Sequence, residues 1–207
     1  MRTRRDRGAS PPPPSPDRYR VGWHELLATE IFDDLSPYAA ALAAGYNDPR
    51  NALLMGHTAP IEPVEVLQLY ADAARDGARS FLLFEAGGLV GDADLRNLRD
   101  GAAEFAFMIA SPASQGKGLG TRFAIMVHTV GFQMIQLAQI YASVMPTNTA
   151  SRRVFEKLGY VVDDSPAARA FADEPEDVVL SIDRATFDRI NGPATLEMSF
   201  GGVVTPG

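Results

Sequence analysis

Gln115-Gly116-Lys117-Gly118-Leu119-Gly120-Thr121 lies where a short apolar stretch ends and a long run of helical spacing begins. Glycines at the mouth of a helix let a ligand approach the backbone closely, and the first turn leaves its N–H groups without carbonyl partners. Those groups, with the positive end of the helix dipole, favour an anion, so the stretch predicts a site for a phosphate-bearing ligand. Two common phosphate loops fail against it. G-x-x-x-x-G-K-[ST] needs a hydroxyl residue after the lysine, and Lys117 is followed by Gly118. G-x-G-x-x-G needs a glycine where Thr121 stands if counting begins at Gly116, or where Phe123 stands if it begins at Gly118. No parallel βαβ unit precedes the loop. What fits is Q-x-x-G-x-G, as Gln115, Gly118 and Gly120.

The helix predicted after the loop covers residues 118–137, with Leu119, Phe123, Met126, Val127, Val130, Met134 and Leu137 at 3,4 spacing. Before the loop the pattern is extended. Residues 80–85, 89–95 and 102–110 read as three strands joined by turns at Ala86-Gly87-Gly88 and at 97–101, an antiparallel meander. Upstream, YRVGW from Tyr19 suggests a strand, and Ser36-Pro37 opens an alanine-rich helix that stops at Gly45. Tyr46-Asn47-Asp48-Pro49 reads as a turn, and a second helix covers residues 63–76. Downstream come a strand at 140–144, a helix at 149–157 stopped by Gly159, and strands at 160–162 and 177–182. The order β-α-α-β-β-β-α-β-α-β-β predicts a mixed α/β sandwich of the α+β kind. Residues 1–19 are Arg- and Pro-rich without an apolar core segment, a disordered tail rather than a signal peptide. Residues 20–190 read as one domain, and 191–207, without periodicity, as a C-terminal tail.

Composition narrows the function. The chain has 207 residues, and no apolar run reaches the ~18 needed to cross a bilayer. With no cysteine there is no disulfide, no thiolate metal site and no cysteine nucleophile. His24, His57 and His128 share no metal-ligand spacing, so no metal is expected. The net charge is −7, and the first 20 residues carry +4, which leaves −11 on the rest. An acidic body argues against non-specific nucleic-acid binding and favours cationic partners. Seventeen of the 19 basic residues are arginine, and the two lysines are Lys117 and Lys157. Lys117 reads as a phosphate-side cation, and Lys157 as a partner for the C-terminal dipole of its helix. These features predict a cytoplasmic protein without a membrane segment.

The glycine loop, in this context, resembles the coenzyme A pyrophosphate loop of GNAT-type N-acetyltransferases, R/Q-x-x-G-x-G/A. A second block, Asn148-x-x-Ser151-x-x-x-Phe155-Glu156-Lys157-Leu158-Gly159-Tyr160, is similar to the N-x-x-S-x-x-x-x-E-K-L-G-F segment of the branch that holds the ribosomal-protein N-terminal acetyltransferases. Asn47-Asp48-Pro49 matches that branch's N-D-P turn, and Val179-Leu180-Ser181-Ile182-Asp183-Arg184 resembles its last strand. The resemblance covers roughly residues 20–190 in the family's order. It implies a mostly antiparallel central sheet splayed between the fourth and fifth strands. It also implies acetyl-CoA as co-substrate and an amine acceptor, and with no cysteine for an acyl-cysteine relay the transfer is expected to be direct, in a ternary complex.

Carried over residue by residue, it implies that the backbone of Gln115, Gly116, Lys117, Gly118, Leu119, Gly120 and Thr121 holds the pyrophosphate. Met108, Ile109 and Ala110 would pair with the pantetheine amides, with an N–H near Ile109 on the oxyanion. Asn148 would hydrogen-bond pantetheine, Ser151 would lie near the thioester sulfur, and Arg153 would reach a phosphate. Glu104, in the family's A-E-[I/F]-[G/A]-[Y/F] segment, reads as the base or else as a solvent-facing carboxylate at a strand start. As the base, it predicts that Glu104→Gln lowers kcat while acetyl-CoA affinity holds.

The sequence departs from the family at Phe155, where many members place the tyrosine that protonates the leaving thiolate. A thiol of pKa ~8.5 leaves tolerably without it, and Ser151 or a water held by Asn148 would substitute. That departure also motivates the alternative of a catalytically weak acyl-CoA-binding module. Residues 163–177 hold six acids against Arg169, read either as a solvated acidic loop or as an attractor for a cationic amine. Trp23 and His57 fall where acceptor specificity resides in the family, or serve packing. Tyr141 and Tyr160 read as core. Edge-strand pairing makes a homodimer the expected assembly if there is one.

Overall fold

The computed structural model describes residues 18–31, 34–56, 59–192, 196–200 and 203–206. Ten strands are β1 (Tyr19–Trp23), β2 (Leu26–Glu30), β3 (Arg79–Glu85), β4 (Gly88–Arg99), β5 (Ala102–Ile109), β6 (Gln139–Val144), β7 (Val161–Val162), β8 (Val178–Asp183), β9 (Glu197–Phe200) and β10 (Val203–Pro206). They form one sheet in the order β10-β9-β1-β2-β3-β4-β5-β6-β8-β7. The helices are α1 (Ser36–Tyr46), α2 (Pro49–Leu54), α3 (Pro63–Arg75), α4 (Leu119–Thr129), α5 (Thr149–Leu158), α6 (Pro166–Arg169) and α7 (Arg184–Asn191).

The two-residue period along the strands divides the core into layers. Phe81 and Leu83 face α4 and join Leu95, Phe105, Phe123 and Met126 in the main cluster. Leu82 and Phe84 point the other way, onto Leu42 of α1 and Val66 of α3. All pairs are antiparallel except β5 with β6. That parallel pair holds only at Ala102–Gln139, Ala103–Ile140 and Glu104–Tyr141. Beyond Glu104 the two strands part, so the expected splay is present, between the fifth and sixth strands because β2 adds one to the count.

β2 was hidden because His24 and Glu25 turn the chain back without glycine, asparagine or aspartate, His24 taking φ 53°. α2 was hidden because Asp48-Pro49 reads as a turn, whereas Asp48 is an N-cap accepting from Arg50 N–H and Asn51 N–H, with Pro49 in the first turn. The helix expected over 118–137 is α-helical to Thr129 and π-helical over Val130–Met134. The segment expected to be a C-terminal tail instead extends the sheet, β9 pairing with β1 and β10 with β9. Its strands are short and carry Gly201-Gly202 between them, too little pattern for a periodic signal. Of the N-terminal tail, residues 1–17 lie outside the described residues.

At the centre of the α4 layer His128 is fully buried among Phe105, Phe132, Phe187 and Tyr160. Nδ1 lies 2.7 Å from the Ala124 carbonyl, so Nδ1 carries the proton and Nε2 accepts from the Tyr160 hydroxyl at 2.5 Å. Burial lowers the imidazole pKa to about 3. The unfolded chain therefore binds a proton below pH ~6.5 that the folded chain refuses, and stability falls as pH drops from there toward 3. Tyr160→Phe leaves Nε2 buried without a donor. It is expected to cost about 1–2 kcal/mol, a melting temperature lower by roughly 2–8 °C in calorimetry.

Candidate active site

The N-D-P turn begins the construction. Asn47 clamps Ile61 from both sides, Nδ2 donating to its carbonyl and Oδ1 accepting its N–H, each at 2.8 Å. With Asp48 capping α2, this fixes Asn51 against the end of β5. Asn51 Nδ2 donates to the carbonyls of Gly45 (2.9 Å) and Ala110 (3.0 Å). Gln115 Nε2 then donates to Asn51 Oδ1 and to the Ile109 carbonyl, both at 2.9 Å. The side chain of Gln115 thus ties the glycine loop to the strand it follows, leaving the loop's backbone to face outward.

Gly116 (φ 74°) and Gly118 (φ 78°) are left-handed, and no atom lies within 4 Å of where a Cβ would stand on either. Gly118 caps α4, so the N–H groups of the first turn point into open space. Gly120 is needed for the opposite reason: a Cβ there would lie 2.9 Å from Phe107 Cε2, so α4 starts hard against β5.

Between α2, the β5 edge, the loop and α5 runs an open cleft of about 370 Å³. It is bordered by Gln115, Gly116, Gly118, Leu119, Gly120 and Thr121, by Met108 and Ile109, and by Asn148, Ser151 and Arg153. Three cations, Arg50, Arg153 and Lys157, border it, and among the described residues no carboxylate does. In an acidic protein that is an anion site. Lys157, in the last turn of α5 where it meets that helix's dipole, also borders the cleft, and Lys117 is not among the residues that line it.

Strand alternation sorts the β5 residues. The Ala110 N–H donates to the Val90 carbonyl at 2.8 Å, so Ala110 and Met108 turn their backbones toward β4, while Phe107 and Ile109 turn theirs into the splay. The expected pairing of a ligand's amides with Met108 and Ala110 is therefore corrected. Ala110 has both backbone groups engaged within the protein, and Ile109 keeps an N–H facing the cleft. Asn148 caps α5, its Oδ1 accepting the Ser151 N–H at 3.1 Å, and its Nδ2 reaches the Leu54 carbonyl at 3.3 Å.

Glu104 is also corrected. It is neither solvent-facing nor at the cleft: 1% exposed, it accepts from Arg96 Nη2 at 2.6 Å on one oxygen and from Asn97 Nδ2 at 2.8 Å on the other. Burial pushes its pKa up, and Arg96 pulls it down. It sits where β5 and β6 are still paired. Arg96 also meets Asp173 at 2.7 Å, and Ser143 donates to Asp177 at 2.7 Å, so two of the acids in residues 163–177 hold that connection in place. Phe155 packs against Phe105, Phe107 and Tyr160 in the core and does not itself border the cleft. Tyr141 stacks on Phe171, a packing role. His57 lies outside the described residues.

α2 and the residue that follows it supply cleft residues missed in the sequence, Arg50, Asn51 and Leu54 from the helix and Met55 after it. The one signal for them was Asp48-Pro49 as a helix start. No described helix is long and apolar enough to cross a membrane.

Residues 31–161 match the family described as Acetyltransferase (GNAT) domain. A 61-residue stretch is 39% identical to spermidine N(1)-acetyltransferase of Escherichia coli (strain K12), covering 30% of this chain and 32% of that relative. The match thus spans about a third of the relative's length. Among solved structures, an aminoglycoside acetyltransferase in complex with coenzyme A superposes with a TM-score of 0.66 at 17% identity, over 84% of this chain and 99% of the other. RimJ of Mycobacterium smegmatis in complex with CoA-disulfide gives 0.63 at 18% identity, over 82% and 88%.

Proposed function

Because the chain belongs to the GNAT acetyltransferase domain family, we propose that it transfers an acetyl group directly from acetyl-CoA to a primary amine, a protein N-terminus or a small molecule. The observation that carries this reading is the cleft itself. An anion-binding helix mouth ringed by Arg50, Arg153 and Lys157 leads to a strand edge where Ile109 presents an N–H into the splay.

In this reading the first-turn N–H groups of α4 take the pyrophosphate, and the three cations balance the remaining phosphate charge. Acetyl-CoA supplies an activated acyl group as a thioester. The Ile109 N–H donates to the oxygen that becomes negative as the amine adds, in a site where a preorganised donor acts without solvent reorganisation. Asn148 holds the pantetheine arm at the start of α5, and Ser151, on the first turn of the same helix, donates to the leaving sulfur. With no cysteine in the chain an acyl-cysteine relay is excluded, and in this reading the acyl group passes directly from thioester to amine.

The buried Phe155 favours a second reading, an acyl-CoA-binding module with little turnover. Thiol release separates the two. Acetyl-CoA is incubated with the protein, a thiol-reactive dye and a panel of amines: Ala- and Ser-terminated peptides, spermidine, kanamycin and amino acids. The chain contributes no thiol of its own. Release with one amine class is expected. A thermal shift with acetyl-CoA but silence across the panel would select the binding module.

A further inference from the structure

Three carboxylates are buried on strands of the sheet: Glu30 of β2 on the α4 face, and Asp92 of β4 and Glu104 of β5 on the face that α1, α3 and the 163–177 connection cover. Two are balanced by arginine, Glu30 by Arg79 at 2.8 Å and Glu104 by Arg96. The third, Asp92, is 4% exposed and makes no ion pair among the described residues. Tyr46 of α1 and Tyr70 of α3 both donate to its Oδ2, at 2.6 and 2.7 Å. Its Oδ1 is equally buried and has no partner. The groups facing it are these two phenols and, on its own strand, Asp94; its neighbours across the sheet, Leu82 on β3 and Met108 on β5, carry no charge. Burial first, and Asp94 second, push the Asp92 carboxyl up to about 7, while the phenols restrain that rise.

Position gives this group a use. Met108, its register partner, borders the cleft one residue before the Ile109 N–H. α1 comes down on the same spot, since a Cβ on Gly45 would lie 3.2 Å from Met108 Cε and 2.5 Å from Ala110 Cβ. α4 and the anion site lie on the opposite face of β5, so an attacking amine has to arrive from the α1 and α3 side. A carboxylate there, with one oxygen fixed by two phenols and the other buried without a hydrogen-bond partner, suits an N–H donor that brings positive charge.

We propose that Asp92, oriented by Tyr46 and Tyr70, receives the primary ammonium of the acceptor on Oδ1 and takes its proton. This rests on the transferase reading above and supplies the base that Glu104 does not. One N–H bond of the ammonium breaks and its proton passes to Asp92 Oδ1. The freed nitrogen lone pair forms the bond to the thioester carbon, and the carbon–sulfur bond breaks with its electrons on sulfur. The second proton from nitrogen then goes to the thiolate. The sum is an N-acetyl amine, free thiol and a protonated Asp92, which returns its proton to solvent.

The test follows the carboxyl directly, in the full chain labelled with 13C at aspartate carboxyls. One resonance, absent from Asp92→Asn, is expected to titrate near pH 7, and propylammonium is expected to lower its midpoint by about half a unit or more. Tetramethylammonium, which has no N–H, should leave it in place. Should Asp92→Asn fail to fold, Tyr46→Phe identifies the same resonance by raising its midpoint, because one donor to the charged form is gone. In turnover, Asp92→Asn is expected to lower kcat/KM at least 100-fold at pH 7 and to abolish its acidic limb, with acetyl-CoA affinity unchanged. A midpoint near 4, or no response to propylammonium, overturns the proposal. Thiol release in the wild type beside a silent Asp92 defeats the proposal and spares the transferase reading. A responsive Asp92 without release under any amine defeats the transferase reading and, with it, Asp92 as its base.

Discussion

Acetyl-CoA is expected to raise the melting temperature of the wild-type protein and to leave that of Gly118→Asp unmoved. Gly118 has φ 78° with nothing within 4 Å of a Cβ position, so the substitution meets no steric obstacle. The left-handed conformation costs a non-glycine residue about 1–2 kcal/mol, and aspartate is among the residues that tolerate it best. The fold should therefore survive with a melting temperature lower by roughly 2–8 °C. Ligand binding should not survive. The new carboxylate stands over the first-turn N–H groups of α4, fills the acceptor role a phosphate would take, and repels any phosphate that approaches. A like charge at ~4 Å near a protein surface opposes binding by about 4 kcal/mol, close to three decades in Kd. Arg153→Ala and Lys157→Ala should each weaken binding by about tenfold, since both border the cleft, and Lys117→Ala by less than threefold, since it does not. An undiminished thermal shift in Gly118→Asp would mean that the anion site lies elsewhere.

The glycine loop was legible because its function depends on backbone, and backbone geometry is written in glycine and in the change from period 2 to period 3.6. The same holds for the meander before it and for α5, whose cap Asn148 and stop Gly159 mark both ends. What stayed hidden depends on side chains meeting across the fold. Nothing local in Asp92, Tyr46 and Tyr70 distinguishes them, yet strand register and two helices bring them to one oxygen. α2 was lost to the ambiguity of Asp-Pro, which starts helices and turns alike. The two lysines were assigned by sequence neighbourhood alone. Lys117 shares the glycine motif yet stands off the cleft, and Lys157, at the far end of α5, is brought to it by the path of that helix. Glu104 shows the same limit. Alternation along β5 puts it on one face with Ala106 and Met108, but nothing in that pattern reveals that Arg96 and Asn97 of β4 wait there for it.

That ion pair makes a sharp prediction about which kind of defect follows its loss. Glu104→Ala removes the acceptor for Arg96 Nη2 and for Asn97 Nδ2 in a place that is 1% exposed. Breaking one side of a buried pair typically costs 3–5 kcal/mol, because the remaining charge has lost its counterpart without regaining water. Arg96 retains Asp173 and its side chain is 35% exposed, so the lower end applies, about 3 kcal/mol. The melting temperature should fall by roughly 6–12 °C. Glu104→Gln keeps an acceptor for one donor and should lose about half as much. Neither change touches the cleft, so kcat measured well below the new melting temperature should stay within about threefold of wild type for both. A catalytic Glu104 would give the opposite pattern, with kcat collapsing in the glutamine variant while the melting temperature barely moved. The pair Glu104→Gln and Asp92→Asn therefore assigns the two carboxylates in one comparison. The first is expected to be a stability defect with activity retained. The second is expected to be an activity defect in a protein that has lost a buried, uncompensated charge, and whose melting temperature above pH 7 is accordingly no lower than that of the wild type. The sign follows from the raised Asp92 pKa: between its ordinary 3.8 and about 7 the unfolded chain gives up a proton that the folded chain retains, so wild-type stability declines across that interval and the asparagine variant escapes the decline.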